Sequence, residues 1–467
     1  MTQSCLRTAS LSLSPLRPAR RCISGNAHLT EDPGMPAPST SPGALLSSWV
    51  VLRGGSVHSA LHVRTSPTAG LGLGVSSAVS PGTILVRLPL AAQLGAGGAA
   101  DSDLQTLLDR VPAELWGARL GLHALRERAV GEGAGAFWPY IAALPSAFPG
   151  VPLFFPGEAV EALQYPPILQ QINKRSRWLV SFAREHLAAP RPAFAHASID
   201  MGGLAWAWAA ASSRAFRAQR GAAPVLLPLI DLANHTFDGP TAKVEGSADA
   251  TCLVAARQLR AGEEVSLNYG PLSNDDLFLD YGFIVPGNPH DDVQLQFDLS
   301  LIEAARALVG LAALEGLAPA ARAALEALGL AGAPGLSAAV AVRRARAGGQ
   351  GPCDARLLAG LRAVSAQPAE LEGLTLRALG DWASPLSLVS EAKALRTLTG
   401  LCAISLSHFP TTAEEDAEVL RKGGMSGPMA LAVQFRLEKK RILDAGIKAC
   451  AARIRVSGFV AARCCLD

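Results

Sequence analysis

The order of segment types predicts an α+β chain: a mainly-β domain interrupted by helices, then an all-α region. Three observations carry this. Short apolar runs punctuated by Gly and Pro fill residues 49–90 and return at 225–267. Between them, from residue 101 to about 216, apolar side chains recur at helical spacing. Beyond Phe297 that spacing continues almost without a break.

Taken in order, residues 1–30 contain no Asp or Glu but carry Arg7, Arg17, Arg20 and Arg21 among several serines. An acid-free, basic, Ser-rich start has the composition of an organelle transit peptide, and the Pro/Ser/Gly-rich stretch 33–43 reads as a linker. Strands are expected at 60–64 and 83–88, with a Gly-rich turn at 69–74 between them. Helices are expected at 101–110, 115–128, 170–187 and 206–219. Strands follow at 225–230, 250–255 and 264–267, then a short helix at 273–279 with Ser273 as its N-cap. In the tail, Thr411-x-x-Glu414 has the form of a capping box. A helix is expected over 429–454, with its charged cluster at 436–441 facing water.

Composition narrows the function classes. In 467 residues, 42 Lys+Arg against 39 Asp+Glu leave a net charge of +3, which offers no general footprint for nucleic acid. Apolar residues make up 49%, enough for the cores of two or three domains. The longest obvious uncharged run, 133–157, is broken by five prolines and so reads as a Pro-rich loop region and not a membrane span. The eight cysteines are scattered without a C-x-x-C pair, so no metal site is expected and the thiols read as reduced.

Four short segments could carry chemistry. In Ala69-Gly70-Leu71-Gly72-Leu73-Gly74 the alternate glycines allow close approach of a ligand to backbone, although a plain hairpin turn has the same look. Arg214, in Ser212-Ser213-Arg214-Ala215-Phe216, offers a fixed fork for a carboxylate or is a surface cation. In Leu229-Ile230-Asp231-Leu232-Ala233-Asn234-His235 an apolar strand would deliver Asp, Asn and His at its tip, to line a site or to form an Asx-type turn. Asn268-Tyr269-Gly270 and Leu279-Asp280-Tyr281-Gly282-Phe283 place two of the chain's four tyrosines close together, in one pocket or at a packed seam.

As an ordered set, these segments resemble a SET-domain methyltransferase, more narrowly the Rubisco large-subunit methyltransferase-like class. Phe137-Trp138-Pro139-Tyr140 with Leu144-Pro145 resembles the start of the family's helical insert, and Phe409-Pro410-Thr411-Thr412 resembles its helical domain. The resemblance implies a transit peptide and linker over 1–43 and a SET domain over 44–298 with an insert at about 100–205. A helical substrate-binding domain would occupy 299–467. It implies S-adenosylmethionine (AdoMet) as cofactor, held by Ala69, Gly70, Leu71, Arg214, Asp231, Asn234 and His235. Tyr281 would be the catalytic phenol, Tyr269 and Phe283 would line the substrate pocket, and no metal is implied. The expected activity is protein-lysine N-methylation of a soluble organellar protein by a monomer, without nucleic acid or membrane. In a chloroplast the implied targets are Rubisco large subunit or fructose-bisphosphate aldolase; mitochondrion and cytoplasm are the other compartments considered. A relative of the class methylates a histidine of actin, so a histidine acceptor is the alternative, followed by a catalytically silent binding module.

Overall fold

A computed structural model describes residues 42–66, 70–95, 101–216, 223–314, 316–330, 338–344 and 351–464. Residues 1–41, where the transit peptide and most of the linker were expected, lie outside the described residues, as does Ala69. The chain forms two compact units, Met1–Phe148 with Leu179–Tyr269 and Pro149–Trp178 with Gly270–Asp467. The division therefore falls at Tyr269, ahead of the boundary expected near residue 298, and residues 149–178 go with the second unit.

The first unit is built on two small sheets. Strands β1 (Ser56–Val57), β2 (Leu61–Ser66), β3 (Gly70–Val75) and β4 (Ile84–Pro89) come first. After the helices come β5 (Ala215–Phe216), β6 (Val225–Leu226), β7 (Asn234–His235), β8 (Ala242–Gly246), β9 (Ala250–Ala255) and β10 (Glu264–Leu267). One sheet runs β1-β4-β9-β8 and the other β2-β3-β10-β7. Both mix strands from before and after the helical insert, so residues as distant as Gly74 and Glu264 pair directly. Strand β10 is antiparallel to β3 but parallel to β7, pairing Ser266 with Asn234 and Leu267 with His235.

Two expectations here are corrected. The Gly-rich stretch is strand β3, not a turn: it pairs along its whole length with β2, Leu61 opposite Val75 through Ser66 opposite Gly70. A Cβ on Gly74 would lie 3.2 Å from the His62 ring and from the Arg64 side chain, so glycine there makes room for its cross-strand neighbours. The apolar run 225–230 is not one strand either. It pairs only at Val225–Leu226, then turns through Leu229 at φ 73° into a 3-10 turn over Ile230–Leu232.

The insert is helical, with helices Ser102–Asp109, Trp116–Val130 and Met201–Ser212 in this unit; the helix expected at 206–219 stops at Ser212, and Ala215–Phe216 pairs as β5. Asp101 and Asp200 cap two of them by accepting from Leu104 N and Gly203 N. Helices Trp116–Val130 and Met201–Ser212 pack closely because Gly121 has no side chain: a Cβ there would lie 2.8 Å from the Ala207 backbone. The Pro-rich region holds a further short helix, Trp138–Ala143. No helix of the described residues is long and apolar enough to cross a membrane.

The second unit is mainly helical around a core that includes Phe278, Ile302, Leu361, Leu398, Phe435 and Ile442. Its one described sheet pairs β11 (Asp292–Phe297) with β12 (Ala338–Arg343), a strand within the stretch expected to be helical. The helix expected at 273–279 is a short α-turn, Asn274–Asp276, capped by Ser273 with Asp276 returning the bond, and it opens into a π-helical turn over Leu277–Tyr281. The capping box in the tail sits one residue later than expected: Thr412 and Glu415 make it, while Thr411 donates to Asp416.

The largest correction concerns the long helix Gly427–Cys464. Arg436, Glu438, Lys439 and Lys440 of the cluster expected to face water are buried, at 8%, 1%, 0% and 1% exposure. Carboxylates distant in sequence meet the cations. Asp416 binds Arg436 and Lys440, each at 2.6 Å, and Glu438 binds Arg344 at 2.7 Å. Buried charges persist only when paired in this way.

Candidate active site

Within the first unit, one cluster gathers most of the residues singled out from the sequence. The 3-10 turn carries Asp231, whose carboxylate is fully buried. Tyr140 Oη donates to Asp231 Oδ2 at 2.7 Å, and Arg214 Nη1 lies 3.5 Å from the same oxygen. Arg214 Nη1 also donates to the Asp231 carbonyl at 3.2 Å. Burial pushes the Asp231 carboxyl above its ordinary range despite the opposing pull of Arg214 and Tyr140. Burial, and then the Asp231 charge, drive the Tyr140 phenol well up, so Tyr140 remains a donor at any physiological pH. Two buried polar atoms of this cluster, Arg214 Nε and Asp231 Oδ1, have no partner among the described residues.

Strand β7 then presents Asn234 and His235. Asn234 Nδ2 donates to Glu264 Oε1 at 2.8 Å, which fixes the orientation of its amide. Gly72 faces it so closely that a Cβ would lie 2.7 Å from Asn234 Nδ2. His235 Nδ1 accepts the Tyr269 backbone N–H at 3.2 Å, which fixes a neutral ring as the Nε2–H tautomer. The Tyr269 hydroxyl donates to the Ala233 carbonyl at 2.8 Å, and its ring centroid lies 5.0 Å from that of His235. Gly70 opens β3 at φ 71°, with open space where a Cβ would be, and Leu71 follows it.

The structure thus brings together Arg214, Asp231, Asn234, His235 and Tyr269, with Gly72 against Asn234. Sequence reasoning missed Glu264 and the role of Tyr140. Tyr140 stood in the quoted insert motif, while Glu264 had no local signal beyond a charge opening a strand. Such a cluster suits a small ligand with a carboxylate and a polar head. A guanidinium nitrogen without a partner is a ready donor, the Asn234 amide is pre-set, and Gly70 leaves backbone accessible.

Tyr281 and Phe283 belong to the second unit. Tyr281 ends the π-helical turn, and its ring centroid lies 6.1 Å from that of Phe283 in an edge-on arrangement. Gly282 follows at φ 76°, and a Cβ there would stand 2.7 Å from the Gly150 carbonyl carbon, so only glycine fits. Arg175 Nη1 donates to Asp280 Oδ1 at 2.7 Å and to the Leu279 carbonyl at 3.1 Å, holding the turn from its flank. Burial, reinforced by the Asp280 and Asp276 charges, pushes the Tyr281 phenol up to about 12. No group of His, Cys, Asp or Glu suited to a metal ion occurs among the described residues.

Comparison with known proteins supplies the context. Residues 316–443 match the Rubisco LSMT substrate-binding family. The actin-histidine N-methyltransferase of Callithrix jacchus is 26% identical over 427 residues, covering 87% of this chain and 68% of the relative. Its Homo sapiens counterpart gives the same figures. The solved SET domain of LSMT bound to MeLysine and AdoHcy superposes with a TM-score of 0.65 at 21% identity, covering 88% of this chain and 92% of that one. Rubisco LSMT bound to AdoMet gives 0.64 at 19%, covering 89% and 93%.

Proposed function

We propose that the chain is an AdoMet-dependent protein N-methyltransferase of the SET-domain, Rubisco LSMT-like class, whose fold it shares. The observation that carries the proposal is the buried Arg214–Asp231–Tyr140 cluster beside Asn234 and His235, with a guanidinium nitrogen left for a ligand. In this reading Arg214 takes the cofactor carboxylate, and Asp231 braces it. Asn234 and His235 hold the methionine head group and adenine through side chain and backbone, and backbone at Gly70 and Leu71 lies along the cofactor. Tyr269 lines the substrate pocket while its hydroxyl fixes Ala233, and Phe283 packs beside Tyr281, the catalytic phenol.

AdoMet, when bound, supplies a methyl group on a sulfonium. The task left to the chain is alignment, which needs no metal and no covalent intermediate. The acceptor nitrogen must be neutral when it attacks. Tyr281 cannot be the base at neutral pH, because its phenolate is disfavoured up to about 12. As a neutral hydroxyl it offers its oxygen to the transferring methyl through weak C–H···O contacts and favours the charge distribution of the transition state.

The curated relatives favour histidine as the acceptor, since both methylate an actin histidine. Lysine is the second reading, supported by fold neighbours solved with lysine or MeLysine. Rubisco large subunit and fructose-bisphosphate aldolase are the substrates to try under that reading. The acid-free residues 1–30 support an organellar address, chloroplast or mitochondrion, which a fluorescent fusion of the full chain tests.

The deciding experiment incubates the full chain with labelled AdoMet and actin, Rubisco or an organelle extract, then maps the methylated residue by mass spectrometry. AdoMet binding without any transfer would leave a silent module. The pH profile of kcat/KM separates the acceptors. A histidine acceptor, with a pKa of about 6.5, gives a rate that rises through that pH and levels. A lysine, near 10.4 in water, gives a rate still rising at higher pH. Ionisation of Tyr281 contributes a falling limb only near 12 in either case, because the neutral phenol is the working form. Tyr281→Phe should lower kcat roughly a hundredfold and leave AdoMet affinity unchanged; wild-type turnover in that variant removes the phenol from the mechanism.

A further inference from the structure

The long helix Gly427–Cys464 carries a buried ammonium that no step above uses. Lys439 is completely buried, and its ammonium faces three oxygens. It forms ion pairs to Asp275 and, at 2.8 Å, to Asp291, and a hydrogen bond to the Asp292 carbonyl at 2.7 Å. The ammonium also lies 5.4 Å and 5.0 Å from the ring centroids of Tyr165 and Phe435.

These partners lie at the base of the loop that bears Tyr281. Asp291 accepts the Asn274 backbone N–H at 3.0 Å and its side-chain amide at 2.9 Å. Asn274 in turn bonds both sides of Val285, accepting its N–H at 3.0 Å and donating to its carbonyl at 3.1 Å. Residues 274–285 are therefore a loop cinched at its two ends. Lys439 sits under the cinch and the π-helical turn stands above it. Apolar residues of equal volume would hold the unit together as well or better than a buried ion cluster. What the ions add is direction: three acceptors fixed on one nitrogen set how the loop is seated.

We propose that Lys439 is a positioning residue for Tyr281, seating the base of the 274–285 loop through Asp275, Asp291 and Asn274. The proposal deepens the methyltransferase reading and rests on it for the role of Tyr281. Lys439 lies within the region matching the Rubisco LSMT substrate-binding family, so that region would govern turnover as well as substrate capture.

The test compares full-length Lys439→Met and Asp275→Asn with wild type. Turnover is normalised to the fraction of protein that binds AdoMet by calorimetry, and hydrogen exchange is followed on peptides covering 274–285. Expected are a drop in normalised kcat of at least about tenfold for Lys439→Met, unchanged KM and Kd for AdoMet, and faster exchange confined to 274–285. Asp275→Asn, which keeps Lys439 on Asp291, shows the same pattern at smaller amplitude and decides the matter if Lys439→Met does not fold. A general loss of stability would speed exchange throughout the unit and lower the binding fraction while leaving normalised kcat intact, and that result overturns the proposal. Unchanged exchange at 274–285 in a folded variant overturns it too. The exchange readout needs no turnover, so a chain that transfers no methyl sinks the activity without deciding the seating of the loop.

Discussion

Two charge clusters, one in each unit, differ in how fully their polar atoms are matched. In the second, Arg362 is wholly enclosed. It donates to both Glu391 oxygens at 2.7 and 2.9 Å and to the carbonyls of Leu379 and Asp381 at 2.7 and 2.8 Å. Asp416 is likewise shared between Arg436, Lys440 and Thr411. In the first unit, the Arg214–Asp231 pair sets a buried carboxylate against a partly exposed guanidinium and leaves a nitrogen and an oxygen unmatched. Leaving a buried polar group unmade is costly, and Arg306 Nη1 and Arg344 Nε of the second unit carry that cost as well. The contrast is therefore between these two clusters, one closed on protein partners and one with a donor and an acceptor left over.

It is broken most readily at Arg362. Arg362→Met leaves Glu391 buried with only Arg453, at 3.1 Å, and should cost about 3–5 kcal/mol in urea unfolding. AdoMet affinity of the remaining folded protein should not change. Arg214→Lys should do the reverse. The free protein keeps nearly its full stability, while AdoMet binding measured by calorimetry weakens by about 1.5–3 kcal/mol, because an ammonium cannot replace the Nε donor of the fork. An equal stability loss in the free protein would return Arg214 to the scaffold.

Tyr140→Phe falls between the two. It strips the donor from Asp231 Oδ2 and should cost about 1–3 kcal/mol in thermal or urea unfolding. The penalty has a pH sign. Burial raises Asp231, so the stabilisation from keeping its proton is present at acid pH and lost as pH rises through the raised value. The ionised form needs the phenol most, and the variant should therefore suffer more at pH 7 than at acid pH. The smallest effect tests the scaffold at its surface: Thr412→Ala removes the cap from Glu415 N and should cost about 1 kcal/mol with no change in methyl transfer.

Much of this was legible in the residues. Strands 250–255 and 264–267 were placed to the residue, because β-branched runs flanked by turns have few other options. The ordered motifs led to the class whose solved members share this fold. What escaped was set by partners distant in sequence. Strand β3 looked like a turn because three of its six residues are glycine, yet Gly72 accommodates Asn234 and Gly74 accommodates Arg64 and His62 from neighbouring strands. The strand expected at 225–230 stops at Leu226 because Leu229, buried at 1% exposure, takes a left-handed conformation that no local preference favours. The 436–441 cluster looked solvated because its carboxylates come from Asp416, Asp291 and Asp275. A spacing rule reads one helix at a time and cannot register what will be packed against it.

The meeting of Gly150 with Gly282 has a practical corollary for anyone recombining this chain with its relatives. Neither position tolerates a methyl group while the other keeps its place, since each backbone occupies the volume the other's side chain would need. The stretch around Gly150 and the tyrosine turn therefore form a matched set, and chimeras that import one without the other should trap a displaced phenol even when every motif is intact.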